Sequence, residues 1–282
     1  IVPVYNDAQQ LRGCLAALRD QTYPLERYEV VVVDNASSED LRPIVAAFQG
    51  FGLEREDRPG SYAARNLGIA ASKGQILAFT DSDCLPDAGW IEAGVRALAE
   101  HPDCGAVGGR IEMVARDPQR ITLFDLHDLV WGMPQRVYVE RYGLAATANL
   151  FAHRWVFDRI GAFDAAFKSC GDCEWSFRLE AAGIALVYAN DARICHPTRS
   201  SLGDFVSDER AESPFATTSL SLRREDIELA LASLPERDRR VIELRYGLGG
   251  AEPLTVEKTR QRLRLRRTEV IELEEQALER LA

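Results

Sequence analysis

Asp81 and Asp83 stand two residues apart, directly after the apolar run from Gln75 to Thr80. Two carboxylates in one turn can hold a hard divalent cation of the Mg2+ or Mn2+ type, whose coordination phosphate oxygens complete. Such a cation acts as a Lewis acid on a leaving diphosphate. A plain acidic turn at the end of a strand has the same pattern, and the Asp-x-Asp spacing alone leaves both readings open. A second cluster, Asp34-Asn35-Ala36-Ser37-Ser38-Glu39-Asp40, closes the β-branched run from Tyr28 to Val33.

The elements that carry these clusters alternate. Helical spacing over about 7–20, 39–49 and 61–72 separates short apolar strands, and buried strands in that rhythm predict an α/β fold with a parallel sheet covered on both faces. In such sheets ligands bind beyond the carboxyl ends of the strands, and both acidic clusters fall at that edge. Ile1-Val2-Pro3-Val4 reads as the inside of a buried strand, so the sequence predicts a first strand that has lost a few leading residues. The net charge of −10 gives no global positive field toward nucleic acid or anionic membranes. No apolar run approaches the roughly eighteen residues of a membrane span. Six scattered cysteines, with Cys170 and Cys173 as the one C-x-x-C pair, predict free thiols in a reducing cytosol rather than a disulfide framework or a four-ligand zinc site.

Composition changes after His196-Pro197. Residues 201–221 are acidic and poor in large apolar groups, and from 222 onward the pattern is helical and charge-dense. Residues 201–282 hold 14 Lys and Arg against 17 Asp and Glu, a net of −3, which leaves −7 on the remainder. The expected organisation is a domain over 1–200, a linker or arm over 201–221, and a small all-α domain over 222–282.

Ile1-Val2-Pro3-Val4-Tyr5-Asn6, Val31-Val32-Val33-Asp34, Arg65-Asn66-Leu67-Gly68, Ala78-Phe79-Thr80-Asp81-Ser82-Asp83, Pro86-Asp87-Ala88-Gly89-Trp90, Gly171-Asp172-Cys173-Glu174-Trp175 and His196-Pro197 occur in order. Together they make residues 1–199 resemble family 2 glycosyltransferases. The resemblance implies a GT-A fold, Rossmann-like with a mixed, mostly parallel sheet, and an inverting transfer of sugar from a UDP- or GDP-sugar to a hydroxyl acceptor, a glycan or lipid-linked glycan. It implies Tyr5 beside the nucleotide base, Asp34 hydrogen-bonded to that base, Arg65 toward the diphosphate, Asp81 by the ribose and metal shell, and Asp83 on Mn2+ or Mg2+. His196 is either a further metal or diphosphate ligand or a strand-terminal histidine. Asp172 is the candidate general base; it also stands where a helix N-cap is expected, and the two roles are compatible. Many relatives carry Glu-Asp where this chain has Gly171-Asp172. Trp175 is expected in the core and Trp90 is open between core and acceptor pocket. The acceptor region is expected over 115–145, with Trp131, Tyr138 and Tyr142. The implied location is the cytoplasm, with peripheral attachment to the inner face of the membrane as a variant.

Residues 201–282 resemble the arm and region 4 of a bacterial primary sigma factor. The likeness rests on Ser201 to Glu209, on Leu231 to Leu248, and on Pro253-Leu254-Thr255-Val256-Glu257. It implies a helix-turn-helix that reads promoter DNA and a contact with RNA polymerase. The turn glycine of that pattern is Arg264 here, and Glu269, Ile271 and Glu272 occupy positions of groups that would meet DNA. Arg266 and Arg267 are the remaining DNA-binding candidates, and binding is expected to be weak or absent. A rival expectation makes the helical module the working part, in a transcription protein whose first domain is a passenger.

Overall fold

A computed structural model describes residues 1–119, 121–199, 234–246 and 254–281. By backbone contacts the chain divides into two units, one of Ile1–Asp125 with Gly132–Ala216 and one of Leu126–Trp131 with Thr217–Ala282. The acidic arm expected over 201–221 lies outside the described residues.

The first unit begins with three parallel strands, β1 (Val2–Val4), β2 (Val30–Asp34) and β3 (Phe51–Arg55). Their register aligns Val4 with Asp34 and Asp34 with Arg55, so the carboxyl ends are level. Helices α1 (Ala8–Arg19), α2 (Arg42–Val45) and α3 (Ser61–Ala71) connect them onward to β4 (Ile76–Phe79). Hydrogen bonds from Ile1 N to Ala78 O at 2.8 Å and from Thr80 N to Ile1 O at 3.3 Å carry the sheet across from β1 to β4. The helix expected over 39–49 is the single turn α2. Leu41 is its N-cap, Asp40 Oδ1 accepts from Arg42 N at 3.0 Å, and beyond it the chain returns through Gly50 at φ +86° while Phe48 stacks on Phe51.

The rest of the unit comprises β5 (Leu85–Pro86), α4 (Trp90–Glu100), β6 (Cys104–Val114), α5 (Leu123–Trp131), α6 (Gln135–Tyr142), β7 (Leu150–His153), α7 (Arg154–Ile160), α8 (Gly171–Ala181) and β8 (Ala185–Pro197); the last residues of α5 group with the second unit. The second sheet runs β4-β7-β6-β8-β5. Here β7 is antiparallel to β4 and β6, β5 is antiparallel to β8, and β6 and β8 are parallel. The sheet is therefore mixed, with its parallel character strongest in the first half. Alternating strands and helices cannot reveal the direction of β7, because a strand buried between two neighbours is apolar whichever way it runs.

Trp175 is fully buried and stacks on Phe157 with centroids 5.0 Å apart. Trp90 is also core. It packs on Phe151 at 4.8 Å and donates its indole N–H to Asn149 Oδ1 at 2.8 Å.

In the second unit, α9 (Glu236–Tyr246), α10 (Val256–Leu263) and α11 (Arg267–Leu281) bury Val241, Ile242, Leu244, Val270 and Ala277. Two ion pairs tie α9 to α11, Arg245 with Glu274 at 3.0 Å and Arg280 with Asp238 at 2.5 Å. Thr255 caps α10 by accepting from Lys258 N at 3.3 Å. Arg264 ends α10 at φ +54°, the left-handed conformation for which glycine is suited at this turn. Among the described residues no helix is long and apolar enough to cross a membrane.

Candidate active site

The carboxyl ends of β1 and β2 form the first wall of the site. Tyr5 follows β1 and is 64% exposed. Asp34 is buried at the end of β2, where Oδ1 accepts from Ser37 N at 2.8 Å and Oδ2 from Arg55 Nη1 at 2.7 Å. Asn35 fastens the neighbouring loop. Its Nδ2 donates to Glu56 O and Arg58 O, and its Oδ1 accepts from Gly60 N. Asn6, at φ +50°, accepts from Ser38 N at 2.8 Å and holds the two loops together.

Asp81 and Asp83 follow β4 in a turn closed by Cys84 N to Asp81 O at 3.1 Å. The next two residues, β5, pair with β8 so that Leu85 faces Cys195. That pairing brings His196 to Asp83, with Nε2 3.8 Å from Oδ1. His196 Nδ1 lies 2.8 Å from Pro197 O. A carbonyl oxygen can only accept, so Nδ1 carries the proton in that contact and Nε2 is the nitrogen that faces Asp83. One ligand atom each from Asp81, Asp83, Cys84 and His196 falls within 4.8 Å of the others.

The electrostatics suit a cation. Burial raises the Asp83 pKa, the Asp81 and Asp7 carboxylates add to the rise, and His196 and Arg116 oppose it. Burial and the Asp81 and Asp83 carboxylates push the Cys84 thiol well above its ordinary range. It therefore stays protonated, and the hard oxygen and nitrogen donors are the ones that fit Mn2+ or Mg2+. Arg65, on α3 and 4% exposed, donates from Nη2 to Asp81 Oδ1 at 2.5 Å, while its Nε is buried without a hydrogen-bond partner. The buried guanidinium, bonded to Asp81, sets a fixed positive charge beside the carboxylate cluster.

Asp172 occupies a separate, well-held position. Helix α8 starts at Gly171 with Cys170 at the N-cap, so Asp172 lies within the first turn and not at the cap as the sequence suggested. Its Oδ1 accepts from Tyr62 Oη at 3.1 Å and Cys173 N at 3.0 Å. Its Oδ2 accepts from Thr147 N at 3.1 Å and Thr147 Oγ1 at 3.4 Å. Sequence reasoning missed Tyr62 and Thr147. The one available signal was that Tyr62 precedes Arg65 by one helical turn and so shares its face.

The sheet order and the acidic turn beyond β4 define a GT-A fold. Residues 1–160 match the family described as Glycosyl transferase family 2, and the chain belongs to it. Residues 230–282 match Sigma-70, region 4. Among curated relatives, glycosyltransferase AglE of Haloferax volcanii is 38% identical over 204 residues, covering 71% of this chain and 66% of its own. The pre-mycofactocin glycosyltransferase of Mycobacterium tuberculosis is 26% identical over 216 residues, covering 73% of this chain. The chain spans only 44% of that relative's length. A mannosyltransferase from Pyrobaculum calidifontis, solved in complex with GDP-Man and Mn2+, superposes with a TM-score of 0.59 at 19% identity, covering 98% of this chain and 85% of its own. TarS of S. aureus with UDP-GlcNAc gives 0.57 at 17% identity, over the whole of this chain and 80% of its own. These two likenesses carry the fold.

Proposed function

We propose that the first unit is a metal-dependent, inverting glycosyltransferase that moves a sugar from a UDP- or GDP-sugar to a hydroxyl of a glycan or lipid-linked glycan. The observation that carries this reading is the convergence of Asp81, Asp83 and His196 Nε2 beside the buried Arg65, at the carboxyl ends of the strands. Asp83 and His196 would hold Mn2+ or Mg2+, with Asp81 at the edge of its shell. The ion would supply Lewis-acid stabilisation of the leaving diphosphate. Arg65 lies toward the diphosphate and directs its positive charge there. Asp34 accepts from the nucleotide base and Tyr5 lies beside that base. The acceptor O–H proton passes to Asp172 as the acceptor oxygen bonds to the anomeric carbon. The bond from that carbon to the diphosphate oxygen breaks, and its electron pair leaves with the diphosphate. The neighbours solved with GDP-Man and Mn2+ and with UDP-GlcNAc support the donor class. The test is a panel of UDP- and GDP-sugars assayed for hydrolysis and transfer with Mn2+, with Mg2+ and with chelator. Cation-dependent turnover of one donor is the expected result, and turnover indifferent to chelator contradicts the metal assignment.

The reading extends to domain limits of 1–200 for the transferase unit, 201–221 for the arm and 222–282 for the helical unit. The helical unit keeps a helix-turn-helix scaffold with a weakened DNA face. Arg266 and Arg267 are exposed at the start of α11, but Ile271 and Glu272 are exposed beside them. Glu269 is spent on the helix itself, its Oε2 accepting from Arg266 N at 2.7 Å.

A further inference from the structure

Tyr62 lies on α3, is 5% exposed, and reaches Asp172 across 110 residues of sequence. Its ring occupies the space above Gly171. A Cβ at Gly171 would stand 2.7 to 2.9 Å from three ring carbons of Tyr62, nearer than side chains pack. Phe163 packs on the ring with centroids 5.7 Å apart, and the Arg65 guanidinium lies over it at 5.4 Å from the centroid. The ring is thus held on several sides, and its hydroxyl has one direction to point.

We infer that Tyr62 is a positioning residue for the base, that Gly171 is glycine to admit its ring, and that the pair fixes which oxygen of Asp172 receives the acceptor proton. The inference rests on the reading of Asp172 as the base. Burial and the Asp172 charge raise the Tyr62 hydroxyl well above its ordinary pKa, so it remains a donor. Oδ1 then has two donors at hydrogen-bond distance, Tyr62 Oη and Cys173 N. Oδ2 has one short contact, Thr147 N, and a long one at 3.4 Å. Oδ2, with the longest of the four contacts, is the oxygen assigned to the acceptor hydroxyl, and Tyr62 keeps the carboxylate from rotating out of that orientation. With Tyr62 in place, a side chain at position 171 has no room.

The experiment is a double-mutant cycle on the full chain with Y62F, D172N and the double variant, reading kcat, donor KM and thermal melting. Y62F removes one oxygen and keeps the ring. It is expected to lower kcat about 10- to 100-fold, the worth of a hydrogen bond to a charged group, with donor KM changed by less than about threefold. In the D172N background the same change is expected to have no further effect on kcat. Independent, multiplying losses in the double variant overturn the positioning role, as does a Y62F effect confined to KM or to melting. Full activity of D172N removes the base assignment itself, a failure distinguishable from the first because it appears in the single variant. G171A gives a second reading. It is expected to displace the ring and reproduce the Y62F loss in kcat, and unchanged kcat with a folded protein overturns the companion role of Gly171.

Discussion

At the scale of residues, the proposed base is held by hydrogen bonds at both of its carboxylate oxygens. Asp172→Asn keeps one acceptor oxygen, enough for the backbone N–H of Cys173 or of Thr147 but not both, and cannot take a proton at neutral pH. Its expected effect is a loss of roughly 10²- to 10⁴-fold in kcat with donor affinity little changed. A melting temperature lowered without a change in kcat would reduce Asp172 to a helix-stabilising group. Cys84 gives the converse test. Its thiol is fully buried and held protonated, so Cys84→Ser is expected to leave cation-dependent turnover within about threefold. A large loss of metal affinity in that variant would make the sulfur a ligand. Asp34, Asp81, Asp83, Asp172 and His196 could be picked out in the sequence because carboxylates and histidine at strand and helix ends carry their chemistry in their type. Tyr62 and Thr147 could not, since their role exists only once α3 and the turn before β7 have closed on α8.

At the scale of elements, the placement of His196 depends on an irregularity between β6 and β8. Pairing runs from Gly109 with Ala189 directly to Arg110 with Arg193, leaving three residues of β8 without partners in that ladder. Asn149 fills the break. Its Nδ2 donates to Arg110 O and Ala192 O, both at 2.8 Å, and its Oδ1 accepts from the Trp90 indole. Gly109 is glycine because a Cβ there would lie 2.4 Å from Ala192 O. Asn149→Ala strands buried partners at about 1–3 kcal/mol each, so a total loss of roughly 3 kcal/mol or more is expected in urea unfolding. A loss under about 1 kcal/mol would show that water or a shifted strand takes over those bonds. The apolar runs announced β2 and β4 in the sequence. The 39–49 helix shrank to one turn because Phe48 and Gly50 serve the return into β3, and local periodicity carries no sign of that.

At the scale of the whole molecule, a transferase fold and a sigma-region-4-like unit share one acidic chain. Residues 222–282 hold 13 Lys and Arg against 13 Asp and Glu, so the helical unit offers no net positive charge for a long-range pull on DNA. The full chain is expected to shift duplex DNA weakly or not at all in gel mobility at low salt. Because Glu269 caps α11, the informative gain-of-function change leaves it in place and converts Ile271→Arg and Glu272→Gln. That double variant is expected to bind measurably, with affinity that falls as salt rises. Tight, sequence-specific and salt-sensitive binding by the unmodified chain would instead make transcription its leading role.

Asp81, Asp83 and His196 are proposed to build a cation-dependent nucleotide-diphosphate site. Titration calorimetry of UDP and GDP into the full chain, with Mn2+ and with chelator, tests it most directly when Asp83→Ala is run alongside. The expected result is one nucleotide bound in the presence of Mn2+, at least tenfold weaker binding with chelator, and the same weakening in Asp83→Ala with its thermal melting retained. Equal affinity for the nucleotide in all three conditions would rule out a cation-dependent site on these residues.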